Sequence, residues 1–376
     1  MIDPDEILDA HGTDGQASQA LVLADYFLER GQERLAASAL DRARTLAPDD
    51  PFIASKRDAL LDQLAVTEYG IHFRYIPAGT FLMGSDRGDP DERPVHAVRL
   101  GDYWLSDTPI PWATYCDLMG WSPPPLGTPE DMPEDRAARF LLHEENKIRL
   151  QYCETFTRQA RHNWHAHAPG QEWIRGDGTR ISSSEIFGPL ARTRPERPMQ
   201  YDVKPMVAVS WQDAALLGER ISTNRVTYRL PTEAEWEKAA RGALVAARYP
   251  WGDEEADPSK CDFGHFGDYS IAPPRAFASN GYGLLGMSGG VWEWTADVYD
   301  ALAYRLARDE AAGRPSDPSS ERVLRGGSWA DCANAITVSF RMSRSSVGWR
   351  NADHRGDHWA PNIGFRLCRT EAPVSR

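Results

Sequence analysis

The sequence predicts an α+β protein in which a short helical segment precedes a larger domain of small antiparallel sheets and much irregular backbone. Three observations lead there. Apolar residues between Ala17 and Leu64 recur at helical spacing, as one buried helix face requires. After Tyr69 they fall instead in short alternating runs broken by turn residues, the pattern of half-buried strands. Thirteen tryptophans in 376 residues, most beside glycine, proline or an acidic residue, point to a loop-rich core held by large aromatics, since each indole covers much area and must place one N–H.

In the first segment Leu23, Ala24 and Phe27 share a helix face and Gly31 ends that helix. Ala36, Leu40 and Ala43 form the stripe of a second helix. Pro48-Asp49-Asp50-Pro51 stops it and starts a third, which carries Ala54, Leu60, Leu61 and Leu64. The order of small and large residues from Leu23 to Pro48 resembles one tetratricopeptide unit. Residues 1–66 are assigned to this segment. A single unit is below the roughly three repeats that a solenoid needs, so it is expected to pack on the main domain or on a partner chain; a plain helical spacer is the other reading.

Residues 67–376 form the second domain. Ile71–Ile76 alternates and meets Pro77-Ala78-Gly79, giving a strand and a turn. Phe81–Gly84, Val95–Leu100 and Tyr103-Trp104-Leu105 read as further strands. Residues 120–204 are polar and irregular and read as an insertion, with one helix expected over Asp135–Arg161. Two helix starts follow. Ser210 is placed to cap a helix over Gln212–Ile221, and Thr232 with Glu235 forms a capping box, in which each side chain satisfies the other's free backbone N–H.

A net charge of −13 argues against a broad nucleic-acid surface, which needs clustered cations to neutralise phosphate. No run has the length of a membrane span, and the acidic N-terminus has no apolar signal core; the expected compartment is the cytoplasm. Five widely spaced cysteines (Cys116, Cys153, Cys261, Cys332, Cys368) form no CxxC, so reduced thiols are expected rather than a disulfide frame.

Nine stretches occur in an order that resembles the formylglycine-generating-enzyme (sulfatase-modifying factor) family, a domain type also found in sulfoxide synthases. They include Ile76-Pro77-Ala78-Gly79-Thr80-Phe81-Leu82-Met83-Gly84, Tyr228-Arg229-Leu230-Pro231-Thr232-Glu233-Ala234-Glu235-Trp236-Glu237 and Asn280-Gly281-Tyr282-Gly283-Leu284. Met287-Ser288-Gly289-Gly290-Val291-Trp292-Glu293-Trp294, Arg325-Gly326-Gly327-Ser328-Trp329 and Ile363-Gly364-Phe365-Arg366 complete the framework. The resemblance implies a C-type-lectin-like fold with two small antiparallel sheets and two helices. Arg366 is expected to pair with an interior carboxylate, Glu235 or Glu293.

The family's oxidases use two cysteines, with four residues between them, shortly after the GGS turn, to bind copper and activate oxygen. Here Cys332 lies near that place, and five residues on stands Thr337. One thiol cannot supply the two-thiolate site that Cu(I) favours. The iron site of the sulfoxide synthases has no counterpart, because the first segment holds only His11. His162, His165 and His167 form the one histidine cluster, read either as a metal site or as a solvated loop. No cofactor is firmly implied. The resemblance admits a structural calcium near Glu293, with Gly290 where an asparagine oxygen is usual.

The stretch Ala330–Asn362 contains no Lys, Glu or Gln. Its residue types include those reached when the adenines of an asparagine AAC codon are exchanged. Members of this fold serve as variable proteins of diversity-generating retroelements, which alter such codons between the GGSW turn and the GFR strand. The stretch is therefore a candidate variable region with a binding face formed by Asp331, Ala333, Asn334, Ile336, Thr337, Ser339, Val347, Gly348, Trp349, Asn351, Asp353, His354, Asp357 and His358. A protein is the expected ligand, because a long loop gives a surface rather than a pocket; a small molecule is the other option. Two further readings stand beside this one: an oxygen- or metal-dependent enzyme, and a scaffold that recruits partners through its helices.

Overall fold

In a computed structural model, the described residues are 16–119, 173–174, 180–181, 203–207, 209–265, 271–306, 321–345 and 362–372. The helix expected over Asp135–Arg161 and the histidine cluster lie outside them. Three helices open the chain: α1 (Gln16–Leu28), α2 (Glu33–Leu46) and α3 (Pro51–Leu64). Gly31, at φ 65°, turns the chain after α1 in the left-handed conformation that glycine adopts at least cost. Asp50 caps α3 by accepting the N–H groups of Phe52 and Ile53 at 2.8 and 3.1 Å, and Pro51 sits where no N–H is needed. The buried alanines of α2 (Ala36, Ala37, Ala39, Ala43) let its neighbours approach closely.

This helical unit packs on the main domain. Leu40, Leu60 and Leu61 share one apolar core with Phe73, Tyr75 and Trp104. Arg57, only 2% exposed, reaches Asp41 at 2.9 Å and the carbonyl of Gly281 at 2.9 Å. Tyr282 donates to the other oxygen of Asp41 at 2.7 Å, and the Trp104 indole donates to the Leu64 carbonyl at 2.7 Å.

Among the described residues two larger sheets and two hairpins build the rest. The first has the order β1 (Val66–Glu68), β2 (Ile71–Ile76), β5 (Tyr103–Ser106), β13 (Cys368–Glu371), β8 (Val226–Arg229). Here the strand nearest the C-terminus, β13, lies between two earlier ones, so Cys368 faces both Leu105 and Arg229. β3 (Gly79–Met83) and β4 (His96–Leu100) form a separate hairpin. The second sheet runs β11 (Met342–Ser345), β10 (Glu321–Arg325), β9 (Trp292–Val298), β12 (Ile363–Phe365). Its pairings are antiparallel, as expected, except that β12 runs parallel to β9. Within the insertion, β6 (Trp173–Ile174) and β7 (Arg180–Ile181) pair antiparallel.

After α4 (Trp112–Met119), both predicted helix starts are present. Ser210 accepts the Asp213 N–H and caps α5 (Trp211–Ile221). Thr232 and Glu235 form the capping box of α6 (Glu233–Arg241), which Gly242 ends at φ 57°. A short α7 (Ala303–Leu306) follows β9. No helix among the described residues is long and apolar enough to cross a membrane.

Buried ion pairs tie α6 to the second sheet. Glu237, fully buried, binds Arg241 at 2.6 Å and also Arg325. Glu233 accepts from Arg341 at 2.6 and 3.0 Å. Asp297 accepts the Glu233 N–H at 2.6 Å; burial, then the Glu233 charge, pushes its carboxyl from 3.8 up to about 6, against the pull of Arg341. This raised value makes Asp297 a cost at neutral pH. Below its ordinary value both folded and unfolded chains hold the proton, and nothing is lost. Above about 6 both have released it, and the folded state bears the full penalty, so this group's contribution falls as pH rises across that window. Asp297→Asn, which keeps an acceptor for the Glu233 N–H, is expected to stabilise the protein by ~2 kcal/mol at pH 8. The gain should vanish below pH ~4, and urea melts of both proteins at the two pH values check this. A gain independent of pH would assign the effect to packing instead.

Candidate functional site

The candidate site begins where β10 ends. Gly326 and Gly327 take φ of 95° and 71°. A Cβ on Gly327 would lie 2.5 Å from Ile336 Cγ2 and 2.7 Å from the Ala335 carbonyl oxygen, so the returning loop leaves room only for glycine. Ser328, fully buried, is the hub of the turn. Its N–H donates to Asp331 Oδ2 at 2.9 Å, and its hydroxyl donates to the same oxygen. The hydroxyl accepts from Asn362 Nδ2 at 2.9 Å. Because Asn362 also accepts the Trp292 N–H at 2.7 Å through its carbonyl, the two ends of the 330–362 stretch are held together on the second sheet.

The loop is fixed from the side as well. Gly264 donates to the Asp331 carbonyl at 3.0 Å and His265 to that of Trp329 at 3.1 Å. The His265 ring, bonded through Nε2 to Asp262, lies 5.8 Å from the Trp329 ring. Nearby, burial lowers the Lys204 ammonium to about 8 despite the Asp262 charge, which acts the other way. Burial likewise raises the Asp331 carboxyl, opposed by its bonds to Ser328 and Trp292 and by Arg344.

The structure divides the predicted surface residues. Asp331 and Ala333 are half-buried, while Asn334 is exposed and accepts from Arg248 at 2.6 Å. Ile336, Thr337 and Ser339 are corrections: they are 0%, 9% and 5% exposed. Ile336 packs in a cluster with Tyr249 and Cys261. Thr337 turns its hydroxyl toward the Asn334 carbonyl at 3.4 Å, and the Ser339 carbonyl accepts from Arg325 at 2.7 Å. An irregular loop has no period that would separate inward from outward residues, so composition alone assigned all of them to the face. Val347, Gly348, Trp349, Asn351, Asp353, His354, Asp357 and His358 lie outside the described residues.

Sequence reasoning missed the floor of this face. Tyr249 stacks on Trp251 at 4.9 Å and 9° and donates to the Ala333 carbonyl at 3.1 Å. Arg248 adds its N–H groups to Asn334 and accepts the Val338 N–H at 3.0 Å through its carbonyl. Tyr249-Pro250-Trp251-Gly252 is a further stretch of the family framework, but nothing local joins it to residues more than 80 positions later.

Metal chemistry finds a poor fit in these residues. Cys332 is an exposed thiol, and where a second thiol would stand Thr337 turns inward. Cys261 is buried, and burial pushes its thiol up to about 12, far from the thiolate that a soft metal binds. Glu293, the expected calcium ligand, is fully buried and holds Arg366 at 2.8 Å and the Trp236 indole at 2.7 Å. Its oxygens serve a structural ion pair, so they do not fit a calcium site. Among the described residues no group of three or more His, Cys, Asp or Glu is placed to hold a metal ion.

Residues 70–371 match the family model of the sulfatase-modifying factor enzyme 1-like domain. The chain belongs to that family. Among its relatives, the formylglycine-generating enzyme of Streptomyces coelicolor is 30% identical over 316 residues, covering 80% of this chain and 89% of that protein. The inactive C-alpha-formylglycine-generating enzyme 2 of Mus musculus is 28% identical, covering 79% of this chain and 85% of the relative. In structure, PvdO from Pseudomonas aeruginosa aligns over 81% of this chain and 97% of its own at a TM-score of 0.51 and 20% identity. This family member therefore carries the C-type-lectin-like fold of sulfatase-modifying factor domains, extended at its start by the packed helical unit.

Proposed function

We propose that this sulfatase-modifying factor domain is a non-catalytic ligand-binding protein. Its binding face is the loop after the GGSW turn, diversified in the manner of a retroelement variable protein, and its ligand is a protein. The observation that carries this reading is the fate of the thiol position. Cys332 stands exposed, while Thr337, five residues on, closes inward. A second support is the architecture of the loop: buried anchors (Arg325, Ser328, Ile336) fix its path while Asp331, Ala333 and Asn334 reach solvent. Small and polar side chains on a fixed path suit recognition, because little ordering entropy is lost on binding. That a mouse relative is named inactive is consistent with a family whose fold outlives its chemistry.

The similarity to a bacterial formylglycine-generating enzyme over most of its length favours a second reading, catalysis, and one experiment separates the two. The purified protein, supplied with Cu(I), oxygen and a cysteine-containing peptide of sulfatase type, is expected to give no aldehyde above the protein-free control, and Cys332→Ala is expected to behave identically. Turnover that disappears in Cys332→Ala would replace the binding reading with the catalytic one. For diversification, the expected genomic mark is a nearby imperfect copy of the last coding segment, differing at adenines, beside a reverse transcriptase. Its absence would leave a fixed binding face.

A further inference from the structure

The packed helical unit creates a second site, unrelated to the loop after the GGSW turn. Between α2, the β3 strand and the turn after α6 lies a cavity of about 380 Å³, within the range of small-molecule sites, which favour junctions of this kind. α2 contributes Asp41, Arg42 and Thr45; β3 contributes Thr80, Phe81 and Leu82; α6 and its turn contribute Lys238, Arg241 and Leu244–Val245. Neither unit could form it alone.

The lining is graded by depth. Lys238 and Arg241 are each 4% exposed and lie at the floor, with the Lys238 ammonium directed at the carbonyls of Pro77 and Gly79. Arg42 is half-buried. At the mouth, Leu82 and Val245 are 45% and 55% exposed. Three of the lining side chains are cationic and one is acidic, but Arg241 is already neutralised by the buried Glu237 at 2.6 Å, which leaves Arg42 and Lys238 as the cations that face the cavity. That acid, Asp41, already faces Arg57 and Tyr282, so it adds little negative field to the cavity. The wall at the turn is strained: Ala243 follows the Gly242 cap at φ 71°, a conformation that costs an alanine roughly 1–2 kcal/mol. Such strain persists where the surroundings require it, often beside ligands.

We infer that this cavity binds a small amphipathic carboxylate, with its anionic head toward Arg42 and Lys238 and its apolar body against Phe81, Leu82, Leu244 and Val245. A ligand so placed touches both the helical unit and the main domain, and it stabilises their union by binding only the folded state.

The test uses the full chain with 2-naphthoate as probe and its neutral isostere 2-naphthamide as control, followed by calorimetric titration. We expect one saturable site per chain, a rise in unfolding midpoint, and a preference for the carboxylate of roughly tenfold or more, the scale of one charged hydrogen bond. Arg42→Gln should erase most of that preference while leaving the amide's affinity unchanged. Thr45→Trp, which fills the cavity from its rim, should abolish binding; a circular dichroism spectrum equal to the parent's shows that it still folds. Should Thr45→Trp fail to fold, Val245→Glu at the mouth takes its place, with a loss of binding expected because it removes apolar contact and repels the carboxylate. Absence of saturable binding, equal affinity for acid and amide, or binding that survives the filling variant overturns the inference.

Discussion

Arg366→Met is expected to lower the unfolding free energy by about 3–5 kcal/mol. Arg366 is fully buried and uses every arm of its guanidinium. Nε meets both oxygens of Glu293 at 2.9 and 2.8 Å, and the remaining nitrogens donate to the carbonyls of Ser106 at 3.0 Å and of Leu285. The cost of losing it comes mainly from what stays behind. Glu293 would keep the Trp236 indole but no counter-charge in a dry interior, and burial already holds its carboxyl above the ordinary range in spite of Arg366. Arg366→Met/Glu293→Gln should therefore recover a large part of the loss, because a neutral amide still accepts from Trp236. Denaturant melts of the two single variants and the double complete the cycle. An unchanged midpoint for Arg366→Met would show that the pair adds nothing net to the fold.

Arg325→Met is expected to cost a similar ~3–5 kcal/mol and, unlike the first variant, to loosen the candidate binding face. From the end of β10 its guanidinium donates to the carbonyls of Ser339 at 2.7 Å, Phe340 at 2.9 Å and Val338 at 2.7 Å while pairing with Glu237. One planar fork thus holds three successive carbonyls of the loop that returns from the face. Arg325→Lys keeps the charge but cannot span them, because a single ammonium does not reproduce the fork, so it should retain part of the stability and little of the order. Amide exchange reads this directly: Val338, bonded to the Arg248 carbonyl at 3.0 Å, should exchange faster relative to β2 in both variants. Exchange that rises equally everywhere would mean that Arg325 supports the fold globally and does not set the loop.

Much of this was legible in local sequence. The caps at Asp50, Ser210 and Thr232 mark helix starts because each signal lies within three residues of the backbone group it satisfies. The alternating Ile71–Ile76 strand buries Ile71, Phe73 and Tyr75 on one face, as a period of two requires. Arg366 had two candidate partners, Glu235 and Glu293. Only the fold chose between them, since Glu235 is taken by Arg229 at 2.7 Å. The parallel course of β12 and the insertion of β13 between β5 and β8 follow from long-range pairing, which no short window encodes.

The stretch after the GGSW turn shows the same division. Its missing second thiol is a fact of residue identity, written in the chain like the family framework around it. Which side chains face outward was decided by the tertiary structure alone. Gly327 admits Ile336, Arg325 collects the carbonyls of 338–340, and Tyr249 closes under Ala333. These contacts join residues that an aperiodic loop does not relate, so Ile336, Thr337 and Ser339 turned inward while Asp331, Ala333 and Asn334 kept contact with solvent. Identity is written residue by residue. Exposure in irregular structure depends on what the rest of the chain brings alongside.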